Sequence, residues 1–205
     1  MLQIDTLRLG QLRTNCYVVR NAGTSKCIVI DPGDESAVIL AHLKKHDLTL
    51  EAILLTHGHF DHIGAVQDLV EATGCALWLS EGDWSQFPSP FVLQLFPIAN
   101  CDFCDVNFPE EGQVIHVADL DFLVYSTPGH TYGSVCYECQ GHLFTGDTLF
   151  RGSFGRTDLP GGSHTAMAGS LKRLRGLPGH MKVYPGHGRE TTIAYEKQFN
   201  PYMQP

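Results

Sequence analysis

The sequence predicts an α/β (α+β) fold in which two sheet-plus-helix halves deliver polar loops to one shared edge. Two observations support this prediction. Short apolar strands alternate with segments of helical spacing, and this order partly repeats in the second half of the chain. In both halves the strands run into loops that contain His, Asp and Gly, so polar side chains follow the carboxyl ends of strands. A layered architecture with a site at that edge accommodates both features.

The first half supplies three predicted strands and two predicted helices. Apolar runs predict strands at residues 16–19 and 27–30. Apolar residues spaced along 36–46 predict a helix. A fully apolar run at 52–55 predicts a buried strand, and helical spacing resumes at Ile63 and ends at Gly74, a residue typical of helix ends.

The second half repeats this order less regularly. Strands are predicted at 122–125, 135–139 and 143–144. The spacing of Leu171 and Leu174 predicts a helix, after which the short run 183–184 predicts another strand. Each of these strands but one leads into a polar loop, as in the first half.

Length and composition point to one domain over residues 1–205. Hydrophobic residues make up 43% of the 205 residues and charged residues 18%, which allows a sizeable core. The segment 87–112 has little pattern and several prolines, so we expect a loop or lid over the site.

Charge and hydropathy argue against several classes of partner. A formal net charge of −8 argues against a general nucleic-acid binder, which needs a basic surface. The chain has no apolar run of about 18 residues, so no membrane partner is expected. It starts without a signal-peptide pattern and has 7 cysteines, an odd number; both favour reduced thiols and a cytoplasmic location.

Four candidate metal ligands directly follow the buried strand predicted at 52–55: His57, His59, Asp61 and His62. Side chains two apart in an extended segment share a face, so His57 and His59 can hold one ion. Asp61 and His62, where the chain turns into a helix, suit a second ion. Imidazole and carboxylate ligands are typical of zinc, iron(II) or manganese. A surface histidine cluster is the alternative, but it does not explain the apolar strand before the loop.

Three later loops add ligands of the same chemistry. His130, Asp147 and His187 each stand among small residues after a predicted strand. A carboxylate at Asp147 can bridge two ions at the separation of about 3.5–4 Å that is typical of binuclear hydrolytic sites. Together with the first loop, these residues predict a binuclear metal centre.

The order of these ligands resembles the metallo-β-lactamase superfamily, in which a His-x-His-x-Asp-His pattern is followed by His, Asp and His. The flanking motifs resemble glyoxalase II (hydroxyacylglutathione hydrolase). They are Thr14-Asn15-Cys16-Tyr17, Asp31-Pro32-Gly33-Asp34, Thr127-Pro128-Gly129-His130-Thr131, Phe144-Thr145-Gly146-Asp147-Thr148-Leu149-Phe150 and Pro185-Gly186-His187-Gly188. The resemblance implies a four-layer αβ/βα sandwich with the metals at one edge of the sheets.

The resemblance also implies a role for each ligand. His57, His59 and His130 would bind the first metal, Asp61, His62 and His187 the second, with Asp147 bridging. The cofactors would be two divalent ions, zinc foremost, with iron or manganese as alternatives. The implied activity is hydrolysis of a small-molecule thioester, S-D-lactoylglutathione or a related hydroxyacylglutathione, by attack of a metal-bridging hydroxide. Asp61 and Asp147 would be catalytic because their charge tunes the basicity of that hydroxide.

Two departures from glyoxalase II concern the substrate. That family continues into a C-terminal helical domain that holds much of the glutathione, and too few residues follow Gly188 for such a domain. Arg156 matches a basic residue that contacts glutathione, but Asp158 stands in place of the family's tyrosine. Arg156 is our candidate for binding a substrate carboxylate, since a guanidinium pairs with it bidentately. An ion pair with Asp158 is the alternative.

Other functions compete with thioester hydrolysis. The stretch 155–158 also resembles persulfide dioxygenases, which use one iron and molecular oxygen, but the Pro-Gly-His-Gly form of 185–188 favours the hydrolase. A lactonase or β-lactamase could use the same ligands, although the glyoxalase-like flanks argue against it.

Two cysteine pairs, Cys101/Cys104 and Cys136/Cys139, suggest a four-cysteine zinc site as a non-enzymatic alternative. Cys136 and Cys139, however, are three residues apart on a predicted strand. Their side chains should face opposite sides of the sheet and cannot hold one ion.

Overall fold

Two six-stranded sheets pack face to face in this computed structural model, which describes residues 1–85 and 106–204. The first sheet contains, in spatial order, β1 (Leu2–Leu9), β2 (Thr14–Asn21), β3 (Lys26–Ile30), β4 (Thr49–Leu54), β5 (Ala76–Trp78) and β6 (Val106–Asn107). Its first three strands are antiparallel and β3 to β6 are parallel. The parallel strands therefore end at one edge of the sheet.

The second sheet contains, in spatial order, β12 (Thr191–Thr192), β11 (Lys182–Pro185), β10 (His142–Gly146), β9 (Val135–Cys139), β8 (Leu120–Ser126) and β7 (Val114–Val117). Its neighbouring strands are antiparallel except for β10 and β11, which are parallel. Because these two strands run the same way, the loops that carry Asp147 and His187 leave the sheet side by side.

The described part of the chain contains the helices α1 (Ser36–Lys45), α2 (Phe60–Ile63), α3 (Val66–Thr73), α4 (Glu81–Trp84), α5 (His164–Arg175) and α6 (Ile193–Phe199). The helix predicted from Ile63 to Gly74 is confirmed as α3 from Val66 onwards, but its start is wrong, because Ile63 belongs to the separate short helix α2. The backbone N–H of Ala65 bonds to the carbonyl oxygen of Pro32 at 3.0 Å instead of continuing the helix. Gly74 ends α3 in the left-handed conformation at φ 68°, as expected of a C-terminal glycine.

Three apolar cores separate four layers. Residues that alternate along each strand point to opposite faces of its sheet. In the first sheet Val18, Val29 and Ile53 pack against α1 and α3, whereas Val19, Ile28 and Leu54 pack against the second sheet. On the far side of the second sheet, Cys136, Leu143 and Val183 pack against Met167 and Leu171 of α5. This arrangement confirms the predicted four-layer αβ/βα sandwich.

The cysteines outside the least patterned segment are structural. Cys136 belongs to the core under α5 and Cys139 to the core between the sheets, which confirms that they face opposite sides. Cys16, Cys27 and Cys75 are also buried, unpaired thiols. Cys101, Cys104 and most of the lid predicted at 87–112 lie outside the described residues. Within the described ranges, the chain has no helix whose length and hydropathy would let it cross a bilayer.

Candidate metal centre

Loops that follow β4, β8, β10 and β11 meet at one edge of the sandwich and bring all seven predicted ligands together. The first group comprises His57, His59 and His130, and the second group comprises Asp61, His62 and His187. Within each group the candidate ligand atoms lie within 4.8 Å of one another. This spacing allows each group to hold one ion.

Asp147 lies between the two groups. Its Oδ2 atom is 3.5 Å from Nε2 of His130 in the first group and 3.7 Å from Nε2 of His187 in the second. Its Oδ1 atom is 3.5 Å from Nε2 of His62. One carboxylate therefore faces both groups of ligands.

Several atoms that face this space lack hydrogen-bond partners among the described residues. They are Nε2 of His57, His62 and His130, and Oδ1 of Asp147, all of them buried. Each unsatisfied buried polar group costs about 1–3 kcal/mol, so a cluster of them calls for a compensating ligand. Imidazole and carboxylate lone pairs fit divalent zinc, iron or manganese. The donor set therefore fits two metal ions.

A buried carboxylate, Asp31, orients two of the imidazoles. Its Oδ2 atom lies 3.0 Å from Nδ1 of His62, which leaves Nε2 to face the centre. Asp31 also accepts hydrogen bonds from the backbone N–H and the hydroxyl of Thr56, at 2.8 and 2.7 Å. The same hydroxyl lies 3.1 Å from Nδ1 of His57. Such outer contacts fix the tautomer and the ring orientation of metal-binding histidines.

Asp83, at the end of α4, connects the loops of the first group. It accepts hydrogen bonds from the N–H of Gly58 at 2.8 Å and from the N–H of Gly133 at 2.7 Å. It also accepts one from the hydroxyl of Thr131 at 2.8 Å. Asp83 could not be predicted from the sequence, because its partners are distant in sequence and no local motif surrounds it. Asp31 was noted only within a turn motif.

The loop of His187 is fixed from the first sheet. Asn15 on β2 donates to the carbonyl oxygens of Pro185 and Gly188 at 2.9 and 3.1 Å. The hydroxyl of Tyr17 donates to the carbonyl of Pro185 at 2.6 Å. These contacts explain why the Thr14-Asn15-Cys16-Tyr17 motif accompanies the ligands.

Two imidazoles of the first group, those of His57 and His59, favour the neutral form. Burial lowers the pKa of His57 well below its ordinary value, and the neighbouring imidazoles add to this effect. Burial, with His130 and His62 nearby, lowers the pKa of His59 to about 3. Both rings therefore present a free lone pair at neutral pH.

The second group has the opposite character. Burial disfavours a proton on His62, but Asp147 and Asp31 outweigh it and raise the pKa of His62 to about 9. Burial likewise opposes a proton on His187, whose pKa is raised by its hydrogen bond to Asp61 and the charge of Asp147. Burial favours the neutral form of Asp61, but His187 and His62 hold its pKa well below the usual range.

Arg156 lies at the edge of the centre and makes two contacts. Its backbone carbonyl lies 2.7 Å from Nδ1 of His130. Its guanidinium donates to both carboxylate oxygens of Asp158 at 2.7 Å, with side chains 60% and 68% exposed. The ion pair considered as an alternative is therefore present, at the surface and within reach of solvent.

Two adjacent groups of buried and half-buried histidines and carboxylates at the edge of an αβ/βα sandwich are typical of the metallo-hydrolase class of protein. The chain belongs to the metallo-β-lactamase superfamily, whose family model matches residues 9–187. That range includes all seven candidate ligands.

Individual relatives resemble the chain over nearly its full length. "Hydroxyacylglutathione hydrolase GloC" of Haemophilus influenzae is 34% identical and covers 98% of each chain. The crystal structure of "BLEG-1 B3 metallo-beta-lactamase" superimposes with a TM-score of 0.88 at 36% identity, covering 99% of this chain and 100% of that one. "TTHA1623 in a di-iron-bound form" also has a TM-score of 0.88, at 38% identity, covering 97% and 99%.

Proposed function

We propose that this protein is a metal-dependent hydrolase of thioesters, acting on S-D-lactoylglutathione or a related hydroxyacylglutathione. The observation that carries the proposal is the presence of two ligand groups with Asp147 between them. The similarity to a hydroxyacylglutathione hydrolase supports the substrate class, and the similarity to a protein with a di-iron form supports a pair of metals.

In this proposal the first group would hold one ion and the second group the other, and Asp147, which faces histidines of both groups, would be shared between them. Zinc is the metal we propose, and iron and manganese are accepted by the same ligands. Two bound ions supply a water nucleophile at neutral pH and stabilise negative charge that develops on the thioester oxygen. No serine or cysteine nucleophile is then needed.

The chain's own residues prepare this chemistry. Asp61 accepts a hydrogen bond from the hydroxyl of Thr14 at 3.1 Å and lies 3.2 Å from Nε2 of His187, so its carboxylate is held in place. Asp61 and Asp147 place negative charge beside the nucleophile and raise its basicity. Arg156 binds a substrate carboxylate, which replaces Asp158 as the partner of the guanidinium. Breaking the ion pair with Asp158 costs little, because exposed ion pairs contribute little to stability.

Hydrolysis of a β-lactam is the second candidate. It is favoured by the similarity to a B3 metallo-β-lactamase over the whole of both chains. A β-lactam amide and a thioester pass through similar tetrahedral states, so the ligand groups alone do not separate them. The glyoxalase-like flanking motifs favour the thioester.

The deciding experiment is purification without added metal, followed by metal analysis and assays without oxygen. We expect close to two metal ions per chain, turnover of S-D-lactoylglutathione and much slower turnover of a chromogenic cephalosporin. A faster reaction with the cephalosporin would reverse the order of the two candidates. One iron per chain, no hydrolysis and oxygen uptake on glutathione persulfide would replace the proposal with a dioxygenase.

A further inference from the structure

A cavity of about 520 Å³ adjoins the loop that carries His187, and three separate segments contribute arginines to its lining. Arg8 comes from β1, Arg151 from the loop after β10 and Arg189 from the loop after β11. Two of these loops also carry candidate metal ligands, so the cavity and the metal centre are neighbours.

Strand pairing fixes the position of Arg8. In the register of β1 and β2, Arg8 lies opposite Asn15 and Thr6 lies opposite Tyr17, and all four residues line the cavity. Cross-strand partners and residues two apart share one face of a sheet. Because Asn15 also donates to carbonyls on both sides of His187, the face that carries Arg8 adjoins that loop.

The other two arginines follow metal ligands closely in the chain. Arg189 stands two positions after His187, and Arg151 stands four positions after Asp147. The guanidinium of Arg151 lies over the ring of Tyr195 at 4.4 Å from its centroid. A guanidinium that stacks on an aromatic ring still has its N–H groups available, because they point outward in the plane of the guanidinium.

These arginines carry charge that is not neutralised by the described residues. Within residues 1–85 and 106–204, Arg8, Arg151 and Arg189 form no ion pair, whereas Arg156 and Arg173 each pair with a carboxylate. The chain as a whole has a formal net charge of −8, so this cavity is a local exception. The three arginines make the cavity suitable for an anion. The lining also contains one acidic residue, Glu190.

We propose that this cavity binds the thiol part of the thioester substrate, and that this thiol is a small peptide with carboxylate groups and an ammonium group. The inference rests on the proposed thioester hydrolase. Arg8, Arg151 and Arg189 bind the carboxylates, since the guanidinium fork matches a carboxylate bidentately. Glu190 binds the ammonium group and repels phosphates. The site therefore selects a small peptide thiol over a nucleotide thiol.

The test measures binding of S-hexylglutathione, a thioether that cannot be hydrolysed, to the metal-loaded protein by calorimetry. The variant R8Q/R151Q/R189Q removes the three charges, and K44Q/K45Q/K172Q is the matched control, since all six residues are exposed and the change in net charge is equal. We expect the arginine variant to bind at least about tenfold more weakly, because it loses the charge-assisted hydrogen bonds between guanidinium and carboxylate groups, which are stronger than neutral ones. The control should bind like the parent protein.

Glu190→Gln tests the choice of thiol. It should weaken binding of S-hexylglutathione several-fold and leave unchanged or strengthen that of S-ethyl-coenzyme A, which has phosphates and no ammonium group. Equal binding of S-hexylglutathione by the arginine variant and the control would overturn the subsite. Tighter, arginine-dependent binding of S-ethyl-coenzyme A would overturn the peptide thiol. Arginine-dependent thioether binding without hydrolysis of any thioester would sustain the subsite and refute the proposed function.

Discussion

The two groups of candidate metal ligands are neighbours, yet their charges and protonation differ. The first group consists of imidazoles alone, and the pKa values of His57 and His59 are lowered by burial and by neighbouring imidazoles, among them His62 and His130. The second group contains Asp61 and faces Asp147 and Asp31, and these carboxylates raise the pKa values of His62 and His187. Similar ligands thus have opposite affinities for a proton.

This difference predicts how the two groups take up metal. A metal ion and a proton compete for the same imidazole nitrogen. The first group can bind an ion at neutral pH without displacing protons from His57 or His59. The second group must first release the proton of His62, but its extra negative charge attracts a cation more strongly once that proton has left. The order in which the two groups bind metal ions therefore depends on the carboxylates near each group rather than on the number of histidines.

The largest expected effect on metal content and kcat comes from removing a single ligand, from the second group in one variant and from the first group in another. His187→Ala should leave one ion in the first group and lower kcat at least about a hundredfold, because a metal contributes several kcal/mol to charge stabilisation and each 1.36 kcal/mol is tenfold in rate. His59→Ala should lose the ion of the first group instead. Metal analysis after dialysis, with steady-state rates on S-D-lactoylglutathione, measures both changes.

His180→Ala provides the control for these two variants, since His180 is an exposed histidine away from the centre. It should keep the metal content and the rate of the parent protein. Two ions and an unchanged rate in His187→Ala would show that the second group does not hold metal.

A smaller effect is expected from pH. Because the pKa of His62 is raised to about 9, this ring holds a proton at pH 7 in the metal-free protein and loses it as the pH approaches 9. Affinity of the second group should therefore rise by about tenfold per pH unit for each proton displaced between pH 7 and 9. The first group should change little in this window, because the pKa of His59 is about 3. Chelator competition at several pH values measures both affinities, and parallel curves would refute the comparison.

The sequence predicted the parts of the fold and of the site that depend on local pattern. Apolar runs located the strands, and the four-layer architecture is confirmed. The loop from His57 to His62 is compact enough for its ligand pattern to be visible in one segment. His130, Asp147 and His187 were found because each follows a strand whose end lies at the same edge.

Contacts between distant segments could not be predicted in this way. The split between α2 and α3 depends on a hydrogen bond from Ala65 to Pro32 on another loop. The contact between Asp83 and Gly133 joins residues 50 apart in sequence. Both depend on how the layers pack, and neither leaves a periodic or motif signal.

Asp31 and Asp83 provide the smallest test of the comparison, because they act on the groups from outside. Among residues 1–85 and 106–204, the Asp83 carboxylate accepts hydrogen bonds only from the loops of the first group, from Gly58, Thr131 and Gly133. Asp83→Asn replaces one acceptor with a donor and should weaken metal binding by the first group about tenfold, the lower end of the range for outer contacts of metal ligands. The second group should keep its affinity.

Asp31→Asn should act mainly on the second group, since Asp31 lies 3.0 Å from Nδ1 of His62 and its charge raises the pKa of that ring. It reaches His57 of the first group only through the hydroxyl of Thr56. The second group should lose affinity and also part of its dependence on pH, a change that a purely structural role would not produce. Asp47→Asn, at an exposed position, controls for the loss of one charge. If both buried variants weakened the two groups equally, the groups would be one coupled unit, and the contrast in their proton affinities would have no consequence for metal binding.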